Sequence, residues 1–72
     1  MNYTAMIDDY THTETMLRER VAALRQQMKL LPLAERDEVK RRLNVMQEEM
    51  YDVALVRLEL IRRQREEEEM FC

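Results

Sequence analysis

The sequence Leu30-Leu31-Pro32-Leu33 divides the chain into two long helix-forming segments. Proline disfavours helical geometry at the residue before it and fits the first turn of a following helix. The 72 residues contain no glycine and no other proline. Leu, Met, Glu, Arg and Gln are abundant, and these residues favour helices. The sequence therefore predicts an all-α protein, with one helix over about residues 3–30 and a second over about residues 33–68.

An unbroken heptad repeat runs along the first predicted helix. Its spacings alternate between four and three, which places its members on one helix face. They are Tyr3, Ile7, Tyr10, Glu14, Leu17, Val21, Leu24, Met28 and Leu31. Glu14 is the one charged member, and we expect it to pair with an arginine of its own chain or of a partner, or to point outward. The β-branched Thr11, Thr13 and Thr15 disfavour helix, so a break near residue 11 is the alternative to a continuous helix.

The second helix continues the repeat as Val39, Leu43, Met46 and Met50. After Met50 we expect an eleven-residue repeat through Ala54, Leu58 and Ile61, which would move Arg57 to the flank. A short connection between two long amphipathic helices predicts an antiparallel hairpin. We expect its core to contain Tyr3, Ile7, Tyr10, Leu17, Val21, Leu24, Met28, Leu31, Val39, Leu43, Met46, Met50 and Ala54.

The same turn predicts how far the two helices overlap. Tyr3, Ile7 and Tyr10 should lie opposite residues 53–61, which would leave the chain beyond about residue 62 without a partner helix. Residues 66–72 are expected to form a frayed or disordered acidic tail on a single domain of residues 1–72.

Residues 51–61 carry more apolar side chains than one neighbouring helix can cover. The predicted oligomer or partner interface comprises Tyr51, Val53, Leu55, Val56, Leu58, Leu60 and Ile61. A core of this size supplies only about 3–5 kcal/mol, so small proteins add disulfides, metals or association. Cys72 is the only cysteine and His12 the only histidine, which excludes an internal disulfide and the usual zinc sets. We therefore expect a homo-oligomer, with a dimer that completes a four-helix bundle favoured.

Charge is distributed unevenly along the hairpin. Residues 16–46 carry eight basic and four acidic side chains, whereas the remainder carries four basic and eleven acidic ones. A possible basic patch near the turn contains Arg25, Lys29, Arg36, Lys40, Arg41 and Arg42. Glu38 with Arg42, and Asp37 with Arg41, have the spacing of helical ion pairs. Because of this neutralisation and a sequence pI of 5.2, nucleic acid is a disfavoured partner.

The predicted function is protein–protein interaction by a self-associating, structural or adaptor hairpin. We predict no enzyme, catalytic residue, metal, cofactor or small-molecule substrate. One alternative is a small inhibitor or regulator of the phage or mobile-element type. It would bind a host protein through residues 51–61 or through the acidic face near the open end, which contains Asp8, Asp9, Glu14, Glu48, Glu49 and Asp52, with Glu59 further along. A second is a hairpin dimer that binds RNA or DNA; the plasmid regulator Rop is an architectural comparison for it, without a shared sequence motif. No secretory signal or membrane-spanning apolar run is visible, which predicts a cytoplasmic protein.

Overall fold

A computed structural model describes residues 2–71 and confirms the all-α helical hairpin. Helix α1 spans Tyr3–Leu30 and helix α2 spans Leu33–Phe71. The helices pack against each other in a rod of 59 × 14 × 13 Å. Since 39 helical residues at ~1.5 Å each extend ~58 Å, α2 alone accounts for the length of the rod. Helix α1 therefore lies wholly alongside α2.

Helix α1 is continuous through the threonine-rich segment, so the alternative of a break near residue 11 is not adopted. The Oγ1 of Thr11 donates a hydrogen bond to the carbonyl of Ile7 at 2.8 Å, and that of Thr13 donates to Asp9 at 3.1 Å. The Oγ1 of Thr15 donates to the Thr11 carbonyl at 3.0 Å. These hydroxyls bond to carbonyls of the preceding turn instead of competing with the helix.

Both ends of α1 are fixed by hydrogen bonds. The Asn2 side chain accepts a bond from the backbone N–H of Ala5 at 3.1 Å and caps the first turn. At the other end Leu31 is extended (φ −89°, ψ 149°), the geometry that the following Pro32 favours. The Nε of Arg36 donates to the Leu31 carbonyl at 2.9 Å. The first turn of α2 thus holds the end of α1 through a side chain.

The interface between the helices, which we call the inner seam, follows one heptad repeat from end to end. All nine members predicted between Tyr3 and Leu31, eight in α1 and Leu31 directly after it, are buried or half-buried. In α2 the repeat continues after Met50 as Val53, Arg57, Leu60 and Gln64, all buried or half-buried, while Leu58 is exposed. The predicted eleven-residue repeat is therefore wrong. Arg57 stays in the seam because its guanidinium has an ion-pair partner there and its aliphatic stem can line the seam.

The core of the hairpin is thin. The structure places every residue of the predicted hairpin core in a buried or half-buried position, but only Val21, Leu43 and Leu60 are buried among the described hydrophobic residues. Two helices enclose little volume, so most seam side chains keep one edge in water. This small core agrees with the low stability expected of a chain of this length.

The helices overlap further than the sequence predicted. The Gln64 side-chain amide donates to the Thr4 hydroxyl at 2.9 Å, and Tyr3 shares a surface depression with Glu66 and Met70. Tyr3 therefore lies beyond the predicted partner range of residues 53–61, and α1 still accompanies α2 well after residue 62. Helix α2 continues to Phe71 instead of ending near residue 68. Fraying of this acidic end stays a prediction, and Cys72 lies outside the described residues.

Candidate interaction surface

The residues predicted as an interface fall into two groups in the structure. Leu60 is 6% exposed and belongs to the core of the hairpin, which corrects its assignment to a partner surface. Val53 also lies in the inner seam and is half-buried, as are Ala54 and Ile61. The remaining members are exposed; they are Tyr51, Leu55, Val56 and Leu58. Helix α1 thus already covers Val53 and Leu60 of the predicted interface.

The exposed group defines a second line of contact-forming side chains on α2. Tyr51, Leu55 and Leu58 are 66%, 48% and 55% exposed, and their spacing of four and three continues in both directions. We call this line the outer strip; it consists of Asn44, Glu48, Tyr51, Leu55, Leu58, Arg62 and Arg65. At ~100° per residue it lies about 150° around α2 from the inner seam. Val56 falls outside it, on the opposite flank.

The sequence already contained the signal for the outer strip. The spacing of its seven members matches a heptad repeat as regular as that of the inner seam. Only three of the seven are apolar or aromatic, so a search for apolar periodicity finds the centre of the strip and misses its charged ends.

An ion pair lies within the inner seam. The Nε of Arg57 donates to Oε2 of Glu14 at 2.9 Å, and Arg18 approaches Oε1 of Glu14 at 3.1 Å. The Glu14 side chain is 14% exposed and that of Arg57 is 29% exposed. Of the partners expected for Glu14, the structure selects an arginine of its own chain. Both carboxylate oxygens are satisfied, so Glu14 is held on the seam without an unpaired charge.

Charged side chains near the end of α2 form a second network. The carboxylate of Glu59 accepts hydrogen bonds from Arg62 and Arg63, and Arg62 also donates to Glu66 at 2.8 Å. Hydrogen bonding from Arg62, assisted by Arg63, lowers the pKa of Glu59 from 4.5 to about 2. The Nε of Arg63 lies 3.2 Å from Oε1 of Glu59, at the i,i+4 spacing of a helical ion pair. The network lies on exposed surface, where its charges are screened by water and salt.

The predicted basic patch is dispersed in the structure. Arg36 is half-buried and bonds to the turn, while Arg25, Lys29, Lys40, Arg41 and Arg42 are exposed. Arg42 lies 3.9 Å from Glu38, as its spacing predicted. The proposed partner of Arg41, Asp37, forms no ion pair with it in the described part of the chain. Arg20, Arg41 and Arg42 border one open depression together with Glu38 and Glu49.

The other polar candidates remain at the surface. His12 and Asp8, which share a face of α1, are both exposed. Across residues 2–71 no three His, Cys, Asp or Glu side chains come together in a way that could hold a metal ion. Neither helix, within the same range, has a segment both long and apolar enough to cross a membrane.

Fold and surface together define a class: a two-helix antiparallel hairpin with one covered seam and one uncovered strip on its longer helix. Comparisons with protein-family models, with curated proteins and with solved structures found no match to this chain. Inference about its function therefore depends on the side chains described above.

Proposed function

We propose that this hairpin is a non-enzymatic protein–protein interaction module that self-associates through the outer strip. The observation that carries the proposal is the run of Tyr51, Leu55 and Leu58, three large exposed side chains in consecutive helical turns. Helix α1 packs on the far side of α2, about 150° away, so it does not cover them. A partner is needed to remove them from water.

The energy available at the strip is large on the scale of this protein. Complete burial of a large apolar side chain contributes about 1.5–3 kcal/mol. Burial of even part of each of the three side chains, twice in a symmetric dimer, adds an amount comparable with the about 3–5 kcal/mol expected from a single small core. Association is thus the means by which a chain with so thin a core gains stability.

The position of the strip determines the form of the dimer that we propose. Because strip and seam lie on nearly opposite sides of α2, two copies joined through their strips have both α2 helices at the centre and an α1 helix on each outer side. The product is a four-helix assembly, but flatter than a square four-helix bundle. The two copies are related by a two-fold axis, which is the symmetry that homo-oligomers generally prefer.

The distribution of charge supports antiparallel association, and the cysteine content supports a location for the protein. Residues 16–46, the half of the hairpin next to the turn, carry excess positive charge, so two copies that point in opposite directions keep these basic halves apart. A single cysteine is compatible with a reducing cytoplasm, where we place the protein.

The test is replacement of two strip leucines, Leu55→Glu together with Leu58→Glu. Sedimentation equilibrium should show a wild-type dimer at micromolar concentration and a monomeric variant, because two charges would be desolvated in each half of the interface. Circular dichroism should show a helical variant, since both leucines face solvent in the hairpin. Leu33→Glu, at an exposed position beside the turn, is the matched control and should remain dimeric.

A wild-type protein that is monomeric throughout this concentration range contradicts self-association. The strip would then have to bind a different protein, as a small inhibitor or regulator does. Loss of helical signal in the double variant would show that the hairpin depends on this interface for its stability.

A further inference from the structure

The outer strip is complementary to itself when two copies run in opposite directions. Its two ends carry opposite charges, with Glu48 on one side of the leucines and Arg62 and Arg65 on the other. None of Glu48, Asp52 and Arg65 forms an ion pair with another described residue. The strip therefore offers an acidic end at Glu48 and a basic end at Arg65 that form no ion pair within the hairpin, while Arg62 is already bonded to Glu59 and Glu66.

Antiparallel helices align their seams only in registers that differ by one heptad, and two neighbouring registers differ in what they place against the leucines. The first places Leu55 opposite Leu58 of the second copy. It also brings Tyr51 opposite Arg62 and Glu48 opposite Arg65, and the two-fold axis repeats each pair. The second register places Glu48 against Leu58 and Leu55 against Tyr51. That register desolvates a carboxylate against a leucine and supplies no cation to it.

We infer that two copies pair through α2 in the first register, antiparallel, with the two-fold axis crossing α2 between Leu55 and Leu58. This inference rests on the proposed self-association and specifies its geometry. The centre consists of four leucines, Leu55 and Leu58 from each copy. A tyrosine–arginine pair and then a glutamate–arginine pair follow on both sides.

The surface around Glu48 suits the arginines that this register brings to it. Asn44, Gln47, Glu48, Tyr51 and Asp52 line one open depression. Arg62 of the second copy would lie over the ring of Tyr51, an attractive arrangement for a guanidinium and an aromatic face. Arg65 of the second copy would meet the carboxylate of Glu48. The depression thus combines a ring and two carboxylates for two incoming cations.

One contact in this register joins like charges. Asp52 would lie on the flank near Glu59 of the second copy. Glu59 is already compensated by hydrogen bonds from Arg62 and Arg63, so the repulsion is reduced. The incoming Arg62 also lies close to Asp52. The flank on the other side brings Ala54 near Ile61, two half-buried apolar residues, and adds to the apolar centre.

A parallel arrangement does not share these pairs. It would place Glu48 beside Glu48 and Arg65 beside Arg65, and like charges opposite each other destabilise the contact. Within one chain Glu48 and Arg65 are about 26 Å apart along α2, so they cannot pair with each other. Any measured coupling between these two positions must come from two copies.

The experiment exchanges the charges at these positions and measures dimer affinity by sedimentation equilibrium at low salt. Glu48→Arg alone and Arg65→Glu alone should each weaken the dimer about tenfold, because each converts two attractive pairs into two repulsive ones. The double variant, Glu48→Arg with Arg65→Glu, should return to the wild-type affinity. An equimolar mixture of the two single variants should also associate better than either alone, since the mixed dimer contains only opposite-charge pairs.

Glu38→Arg with Arg42→Glu reverses an exposed ion pair away from the strip and serves as the control, with no expected change in affinity. Single variants that dimerise as the wild type does, or a double variant that stays weak, overturn this geometry. If the leucine variants of the previous section are monomeric at the same time, self-association stands and only the register fails. A monomeric wild type overturns both.

Discussion

The ion pair between Glu14 and Arg57 allows a quantitative test of how the inner seam is specified. The perturbation is a set of three variants: Glu14→Leu, Arg57→Leu and the double replacement. They are best made in the Leu55→Glu, Leu58→Glu background, where we expect a monomer, so that unfolding does not depend on protein concentration. The question is whether the two charges stabilise the hairpin or only specify its alignment.

The expected magnitudes follow from the exposure of each partner. Arg57→Leu leaves the Glu14 side chain, which is 14% exposed, with Arg18 as its remaining partner. The free energy of unfolding should therefore fall by about 1 kcal/mol. Glu14→Leu leaves Arg57 with no carboxylate on the seam. Because the Arg57 side chain is 29% exposed, its guanidinium can extend to water, and the free energy of unfolding should fall by about 1–2 kcal/mol. The double variant removes both charges and adds two apolar seam residues. Its free energy of unfolding should therefore equal that of the parent or be higher, by up to about 1–3 kcal/mol.

Urea unfolding followed by circular dichroism measures all four proteins. We expect strong non-additivity, because the double variant regains the stability that each single variant loses. A double variant whose loss equals the sum of the two single losses would refute it. Without the Glu14–Arg57 pair, we expect competing alignments of the two helices to come closer in energy to the native one, so the double variant should be less uniquely folded. Broadened NMR amide signals in the double variant, compared with sharp ones in the parent, would detect this.

Three further predictions concern the core, the acidic end and nucleic acid. Leu43→Ala, at a buried seam position, should lower the free energy of unfolding by about 2 kcal/mol or more. Leu33→Ala, at an exposed position, should change it by less than about 0.5 kcal/mol, and urea titrations of the two variants test this difference. The carboxyl of Glu59 should titrate by NMR with a pKa of about 2 instead of 4.5, so its contribution to stability is complete above pH 4.5 and is lost as the pH falls from 4.5 towards 2. Fluorescence anisotropy should show no binding to duplex RNA or DNA at physiological salt; salt-dependent binding abolished by Arg41→Glu would favour the nucleic-acid alternative instead.

The helices and the face of α1 in the inner seam could be predicted from local sequence. Pro32 marks the boundary, and no glycine or other proline competes with it. The seam of α1 is apolar at every position except Glu14, so apolar periodicity alone identifies it. The bounds Tyr3–Leu30 agree with the predicted helix because Asn2 and the Leu31-Pro32 pair act within a few residues of the ends.

The seam of α2 could not be predicted in the same way, because its phase depends on a contact between distant residues. Apolar periodicity treats Arg57 as a surface residue and Leu58 as a seam residue, and it therefore shifts the repeat after Met50. The structure has the reverse assignment. Glu14 and Arg57 are 43 positions apart, and only the packed hairpin brings their side chains to 2.9 Å. The length of the overlap was missed for a related reason, since it depends on contacts between distant residues such as Gln64 and Thr4.

The position of Arg57 links the two surfaces of α2. An unshifted heptad repeat keeps Arg57 inside, and the same phase places Leu58 outside with Tyr51 and Leu55. Had the repeat shifted to bury Leu58, α1 would have covered it and the outer strip would have lost one of its two central leucines. Burying an arginine while exposing a leucine is unfavourable for an isolated hairpin. In the dimer that we propose it becomes favourable, because the Glu14–Arg57 pair satisfies the inner charge and a second copy covers the outer leucine. Both features therefore follow from one choice of phase, and we expect the Glu14–Arg57 pair also to determine which side chains of α2 face outward.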